Sequence, residues 1–97
     1  MRLRFQRRAL QQIDSALAYI AAYSPQGAAK VEARLSAVLT VVRDHPLSGR
    51  KTSIPGVRRV FLTPYPYHID DFADEDEIVV QRFRHAARKP LPGVGRS

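Results

Sequence analysis

The chain has 97 residues, no cysteine and a formal net charge of +7. That length suffices for one small domain with a single core, and the missing cysteine excludes a disulfide framework and thiolate metal sites. No apolar run approaches the roughly 20 residues that span a bilayer, and no apolar signal segment follows the N-terminus. We therefore expect a soluble, cytoplasmic protein.

The charge is distributed unevenly along the chain. Six of the nine acidic residues lie between positions 70 and 77, so the rest of the chain carries 16 basic residues against three acidic ones, a net charge of +13. Thirteen of the basic residues are arginine, whose planar guanidinium group binds carboxylate or phosphate in a bidentate manner. This balance predicts binding to a polyanion or to an acidic protein segment.

The N-terminal half predicts a short strand and two helices. Arg2–Gln6 alternates polar and apolar residues, as a half-buried strand does. An apolar stripe at helical spacing predicts a first helix from Arg7 to about Ala22. Ser24 is a suitable N-cap, and Pro25 a suitable first residue, for a second helix that runs to about Asp44. The short link between two long amphipathic helices predicts an antiparallel helical hairpin.

The C-terminal half predicts a loop followed by three strands. Leu47–Gly56 is rich in Ser, Gly and Pro, which is typical of a loop. Prolines and an acidic turn at 74–76 separate three segments of strand character, which we expect to form an antiparallel meander. These strands are Val57–Thr63, Tyr67–Ala73 and Ile78–Arg84. In the last strand the apolar face changes near Gln81, which predicts a bulge or a strong twist there.

The resulting order of elements is β-α-α-β-β-β. It predicts a two-layer α+β fold in which the helical hairpin packs on one face of an antiparallel sheet and leaves the opposite face for binding. We expect a single domain over residues 1–90 and a flexible tail over residues 91–97.

Several short motifs punctuate this order of elements. They are Arg8-Ala9, Tyr19-Ile20, the linker His45-Pro46-Leu47-Ser48-Gly49-Arg50, Arg58-Arg59, Pro66-Tyr67 and His85-Ala86-Ala87-Arg88. By these motifs and their spacing the chain resembles, from Arg2 to Pro90, the RelE/ParE superfamily of toxins from bacterial type II toxin–antitoxin pairs. The long hairpin is more similar to the ParE branch, whose members poison DNA gyrase, than to the RelE branch, whose members cut mRNA on the ribosome.

The resemblance implies a growth-inhibiting toxin that inhibits DNA gyrase without being an enzyme and that uses no cofactor or metal. It also implies a cognate antitoxin protein, and a toxin–antitoxin heterotetramer would be ordinary for the family. In many relatives the strand after Pro-Tyr continues into an aromatic-basic pair, whereas this chain has Asp71 and Phe72 there. That departure leaves open an inactive toxin fold that only binds its antitoxin.

The candidate residues for binding the antitoxin or the target are cationic. They are Arg50, Lys51, Arg58, Arg82, Arg84 and Arg88. An exposed sheet face and edge ringed by arginine suits an extended antitoxin segment with apolar anchors and carboxylates. We expect Arg58, Arg82 or Arg84 to contact the acidic side chains of that segment.

The alternative reading is a RelE-like, ribosome-dependent mRNA endoribonuclease. His85 would then act as acid or base, and Arg82 and Arg88 would hold the phosphate. More often, however, such a histidine is a structural hydrogen-bonding residue and such arginines form a solvated or partner-binding face, so we assign no catalytic residue. His68 and Asp70 alternate onto one strand face and could share a proton, but no third metal ligand accompanies them.

Overall fold

The computed structural model describes residues 1–86, which form two helices and a five-stranded sheet. The elements are β1 (Arg2–Phe5), α1 (Arg7–Tyr23), α2 (Pro25–Asp44), β2 (Arg50–Lys51), β3 (Val57–Phe61), β4 (Tyr67–Ala73) and β5 (Glu77–His85). The two helices pack on one face of the sheet, so the predicted two-layer α+β fold is confirmed. The predicted tail at 91–97 and the predicted domain end at residue 90 lie outside the described residues.

Local signals account for both helices. Ser24 has an extended backbone, which ends α1, and its Oγ accepts a hydrogen bond of 2.9 Å from the Gly27 N–H in the first turn of α2. Pro25 occupies the first helical position, where its missing N–H has no intrahelical partner to lose. The predicted hairpin and its capping residue are therefore confirmed.

The core lies between the helical hairpin and the central strands of the sheet. Its largest members come from both layers: Ile13 on α1; Val31, Leu35, Val38 and Val42 on α2; Tyr67, Ile69, Ile78, Val80 and Phe83 on the sheet; and Leu62 just after β3. Burial of this apolar surface is the main force that holds the hairpin on the sheet.

The sheet differs from the prediction in the orientation of its first strand. The strand order is β1-β5-β4-β3-β2, and β1 runs parallel to β5, with Leu3 opposite Ile78 and Phe5 opposite Val80. The sheet is therefore mixed, and the expectation of an antiparallel sheet was wrong for β1. A parallel pair requires a long crossover, which the two helices and the other three strands supply here.

A second difference lies in the predicted loop Leu47–Gly56, which contains the short strand β2. Arg50 pairs with Arg59 and Lys51 pairs with Arg58 of β3. Gly49 allows this approach, because a Cβ atom there would lie 2.9 Å from a Val60 methyl carbon and 3.0 Å from the Arg59 carbonyl oxygen. A two-residue strand has no periodicity of its own, so only pairing reveals it.

The predicted bulge is confirmed at Gln81. Asp70 pairs with Arg82 while the next residue, Asp71, pairs with Val80, so Gln81 has no partner on β4. The extra residue reverses the alternation of side chains beyond it. Phe83 consequently joins Val80 in the core, and the arginines on either side of Phe83 point to the opposite face of the sheet.

Candidate functional site

The sheet face opposite the helices carries three rows of side chains, which strand pairing aligns across the sheet. We call these residues the open face. The first row is Arg50, Arg59, Asp70 and Arg82; the second is Phe61, His68 and Arg84; the third is Val57, Phe72, Val79 and Arg4. Adjacent strands lie about 4.8 Å apart, so the first row spans roughly 14 Å.

An ion pair between a half-exposed arginine and a buried carboxylate forms the centre of the open face. Arg59 donates to both carboxylate oxygens of Asp70, through Nε to Oδ1 at 2.8 Å and through Nη2 to Oδ2 at 3.2 Å. Such bidentate pairs combine hydrogen bonding with opposite charge. Since the Asp70 side chain is almost fully buried, this pair compensates the cost of burying its charge.

His68 lies beside this pair, in surroundings that favour the neutral imidazole. Burial lowers the pKa of His68, and the positive charge of Arg59 lowers it further, which outweighs the raising effect of Asp70. The His68 Nδ1 atom lies 3.5 Å from Asp70 Oδ1, too far for a good hydrogen bond, and it has no hydrogen-bond partner among the described residues. The Phe61 ring meets the imidazole edge-on, with centroids 5.6 Å apart.

Three arginines on the open face have no carboxylate partner. Within residues 1–86, Arg50, Arg82 and Arg84 form no ion pair. The Arg50 guanidinium carbon lies 5.9 Å from the centroid of the Phe61 ring, in cation–π range. Phe61 is 39% exposed and Phe72 is 36% exposed. The open face therefore offers cationic groups beside aromatic surface, which suits a partner that carries both carboxylates and apolar side chains.

The cationic residues proposed from the sequence fall on two sides of the sheet. Arg50, Arg82 and Arg84 meet on the open face. Lys51 and Arg58 pair with each other on the helix side, and Arg58 donates to the Gly49 carbonyl oxygen at 3.0 Å. Their role in binding stays a prediction, and Arg88 lies outside the described residues.

The candidate nuclease residues are also separated by the sheet. His85 is opposite Tyr67 on β4 and meets its ring edge-on at 5.2 Å, so His85 lies on the side of β5 that Phe83 occupies. Arg82 lies on the other side, in the first row of the open face. The histidine that does share a face with Arg82 and Arg84 is His68.

Sequence reasoning placed His68 and Asp70 on one face but missed Arg59 as their partner. Arg59 reaches Asp70 because β3 and β4 pair in the register that sets these two residues opposite each other. Eleven positions separate Arg59 from Asp70, so no local sequence pattern predicts that they pair. The available signal was general: a buried aspartate requires a cation, and Arg58 and Arg59 were the nearest candidates on the preceding strand.

Fold and site together define a small, basic, two-layer α+β protein whose sheet presents a cationic and aromatic face. Among residues 1–86, neither helix is long and apolar enough to cross a lipid bilayer.

Comparison with known proteins gives the family. The model for the ParE toxin of the type II toxin–antitoxin system parDE matches residues 3–90. A protein of Sinorhizobium fredii (strain NBRC 101917 / NGR234) named "Putative toxin Y4kP" is 37% identical over 68 residues, which cover 70% of this chain and 71% of that protein. The chain belongs to the ParE toxin family, and it is the toxin component of a type II toxin–antitoxin system.

A solved structure shows the same fold. The structure described as "Chromosomal ParDE TA system from P. aeruginosa" superposes with a TM-score of 0.75 at 23% sequence identity, covering 88% of this chain and 95% of that chain. The resemblance to the ParE branch, which was predicted from motifs and from the long hairpin, is thus confirmed.

Proposed function

We propose that this toxin inhibits DNA gyrase as a binding protein rather than as an enzyme, and that a cognate antitoxin neutralises it by covering the open face. Membership of the ParE family supports gyrase as the target, because the resemblance to that branch implies it. The structurally similar ParDE system supports an antitoxin partner. We expect both interactions to take place in the cytoplasm.

The observation that carries the antitoxin part is the composition of the open face. Its unpaired arginines lie next to two exposed phenylalanines on a sheet face that no helix covers within residues 1–86. Exposed aromatic surface on a small soluble domain marks an interaction site, and the arginines select a partner segment with carboxylates.

The test is a gyrase assay with the purified toxin, plasmid DNA and ATP. We expect supercoiling to fall and linear DNA from trapped double-strand breaks to accumulate. Addition of the antitoxin is expected to abolish both effects, and relaxation by a type I topoisomerase under the same conditions is the control that stays unchanged. A folded toxin that leaves gyrase unaffected at high molar excess would exclude gyrase as the target.

A second candidate function is ribosome-dependent cleavage of mRNA, and His68 is the observation that favours it. A neutral imidazole on the open face can act as a general base, and Arg84 in the same row can hold a phosphate. Incubation with translating ribosomes, followed by mapping of mRNA ends, tests this function. A chain that affects neither gyrase nor mRNA and still binds the antitoxin is the inactive toxin fold.

A further inference from the structure

A cleft of about 760 Å³ lies at the edge of the sheet, outside the open face. We call it the α1–β5 cleft. Its lining includes Arg8, Ser15 and Tyr19 from α1, and Tyr67, Phe83 and Arg84 from the sheet. Arg84 also ends the second row of the open face, so the cleft and the open face meet at this residue.

The cleft lies along an uncovered edge of β5. The neighbouring strand β1 pairs with β5 only from Glu77 to Val80, and the Gln6 N–H donates the last bond of this pair to the Val80 carbonyl oxygen at 3.0 Å. β5 continues through His85, and its second half pairs with β4 on one side, while no strand among residues 1–86 lies beside it on the side of β1. A strand edge of this kind is a template for pairing with another extended segment.

The side chain of Gln12 occupies the position that the carbonyl group of a neighbouring strand would take. The Phe83 N–H points to the edge of the sheet and donates to Gln12 Oε1 of α1 at 2.8 Å. A glutamine side chain that rotates away regains rotamer freedom, so a strand carbonyl can replace its amide oxygen and keep the Phe83 N–H satisfied. Gln12 thus satisfies the Phe83 N–H and leaves the edge of β5 available to another strand.

The walls of the cleft define the chemistry of its occupant. Tyr67 and Phe83 stack with ring centroids 5.1 Å apart and form an apolar floor. Tyr19 is 64% exposed above it, and Arg8 and Arg84 supply positive charge, while the lining includes no carboxylate. These walls fit an extended segment of about five residues, roughly 17 Å long, that carries an apolar side chain and at least one carboxylate.

We propose that the α1–β5 cleft accepts an extended acidic segment of the antitoxin, which pairs with β5 beyond the end of β1 and sets its carboxylates beside Arg8 and Arg84. The inference rests on the proposed function, since it assigns a place to part of the antitoxin. An antitoxin on the open face reaches the cleft around the edge of β5, because Arg84 belongs to both surfaces.

By composition, the rest of the chain does not match this occupant. Residues 87–97 contain Arg88, Lys89 and Arg96, no acidic residue and two prolines, so this segment has the same charge as the cleft and lacks two backbone donors. The acidic residues at 74–76 form the turn between β4 and β5, so a second copy cannot present them as an extended strand.

Two matched pairs of variants test the proposal through the affinity for the full-length antitoxin. Arg8→Glu changes a residue of the cleft, whereas Arg7→Glu makes the same change on the same turn of α1 outside it. Tyr19→Ser and Tyr23→Ser form the second pair, in which only Tyr19 lines the cleft. We expect Arg8→Glu and Tyr19→Ser each to weaken binding about tenfold or more and their controls to change it by less than about twofold. Thermal unfolding verifies that all four variants fold.

Hydrogen exchange supplies the readout specific to strand pairing. In the full-length toxin, amides in the peptide that spans residues 81–85 are expected to gain protection when the antitoxin binds. Unchanged exchange there, together with normal binding by Arg8→Glu, would overturn the proposal and leave the proposed function intact. If the antitoxin does not bind the wild-type toxin at all, both the proposal for the cleft and the proposed neutralisation by the antitoxin are overturned.

Two other outcomes would assign the cleft to a different occupant and overturn the proposal. Protection of residues 81–85 in the free toxin that is lost when residues 87–97 are deleted would identify the chain's own C-terminal segment. A dimer mass in light scattering that Arg8→Glu reduces to a monomer mass would identify a second copy.

Discussion

Asp71 is a carboxylic acid held almost out of solvent between two strands. Its side chain is 2% exposed, and its Oδ2 has no hydrogen-bond partner among the described residues. Burial raises the pKa of Asp71 to about 6, the negative charge of Asp70 adds to the rise, and Arg58 opposes it. Asp71 pairs with Val80 and so lies on the helix side of β4, where it places no negative charge on the open face.

The stability of the toxin should therefore depend on pH through Asp71. The folded state binds the proton more tightly than the unfolded state, whose pKa is near 3.8, so this residue lowers the free energy of unfolding as pH rises from about 4 through about 6, and its effect levels off above about pH 7. We expect Asp71→Asn to be more stable than the wild type at pH 7.5, by up to about 3 kcal/mol, and similar to it at pH 4. Urea unfolding at pH 4, 6 and 7.5 measures this difference.

The exposed Asp74→Asn is the matched control, because the same substitution outside the interior should leave the pH profile close to that of the wild type. A stability difference between wild type and Asp71→Asn that does not grow between pH 4 and 6.5 would contradict the assignment.

At the scale of elements, the bulge on β5 decides which side chains form the open face. If β5 kept Gln81 in a regular alternation without the bulge, Phe83 would lie on the same face as Val79, and Arg82 and Arg84 would turn toward the helices. With it, Phe83 packs on Tyr67 in the core, and the two arginines face away from the helices. The bulge thus determines both which side chain of β5 packs in the core and which side chains lie on the open face.

Deletion of Gln81 and insertion of an alanine between Arg82 and Phe83 should test this coupling. We expect the deletion to leave Phe83 in the core and to change the free energy of unfolding by less than about 1 kcal/mol, because Val80 and Arg82 already pair with adjacent residues of β4. The insertion reverses the alternation and should expel Phe83 from the core, which should lower the free energy of unfolding by at least about 3 kcal/mol. Chemical unfolding of both variants, with antitoxin binding of any folded fraction, provides the measurement, and equal stabilities would argue against the alternation along β5 as the determinant.

At the scale of the whole molecule, the net charge of +7 attracts acidic partners from any direction, but the arrangement of charge is specific. Arg59 and Arg4 are engaged by Asp70 and Glu77, so they add little to the field that a partner meets. The remaining arginines of the open face are therefore expected to contribute most of the salt-dependent attraction to the antitoxin.

The triple variant Arg50→Gln, Arg82→Gln, Arg84→Gln tests that distribution. We expect its affinity for the antitoxin to fall about tenfold to a hundredfold at low salt, and its affinity to depend less on salt than that of the wild type, because screened charge pairs have been removed. A variant with the same loss of charge on the helices, Arg7→Gln, Arg34→Gln, Arg43→Gln, is the control. Titration calorimetry at several salt concentrations measures the antitoxin affinity of both triple variants. Identical affinities and identical salt dependence would show that only the net charge matters.

Features that depend on neighbours along the chain were predictable from the sequence. The periodicity of α1 and α2, the cap at Ser24 and the change of apolar face at Gln81 all act within a few residues, so each leaves a local pattern. The motifs that punctuate these elements sufficed to place the chain in its family. His68 and Asp70 were assigned to one face because a strand has a period of two.

Features that depend on which strands meet were decided by the tertiary structure. The parallel pairing of β1 with β5, the short strand β2 and the ion pair between Arg59 and Asp70 join residues that are distant in sequence, and their register follows from packing of the whole sheet against the hairpin. The same packing buries Asp71 and, within residues 1–86, leaves the second half of β5 without a neighbouring strand on the side of β1. By itself the sequence determined the elements and the family of this toxin; the surfaces it presents to a partner were decided by long-range strand pairing, which no local pattern encodes.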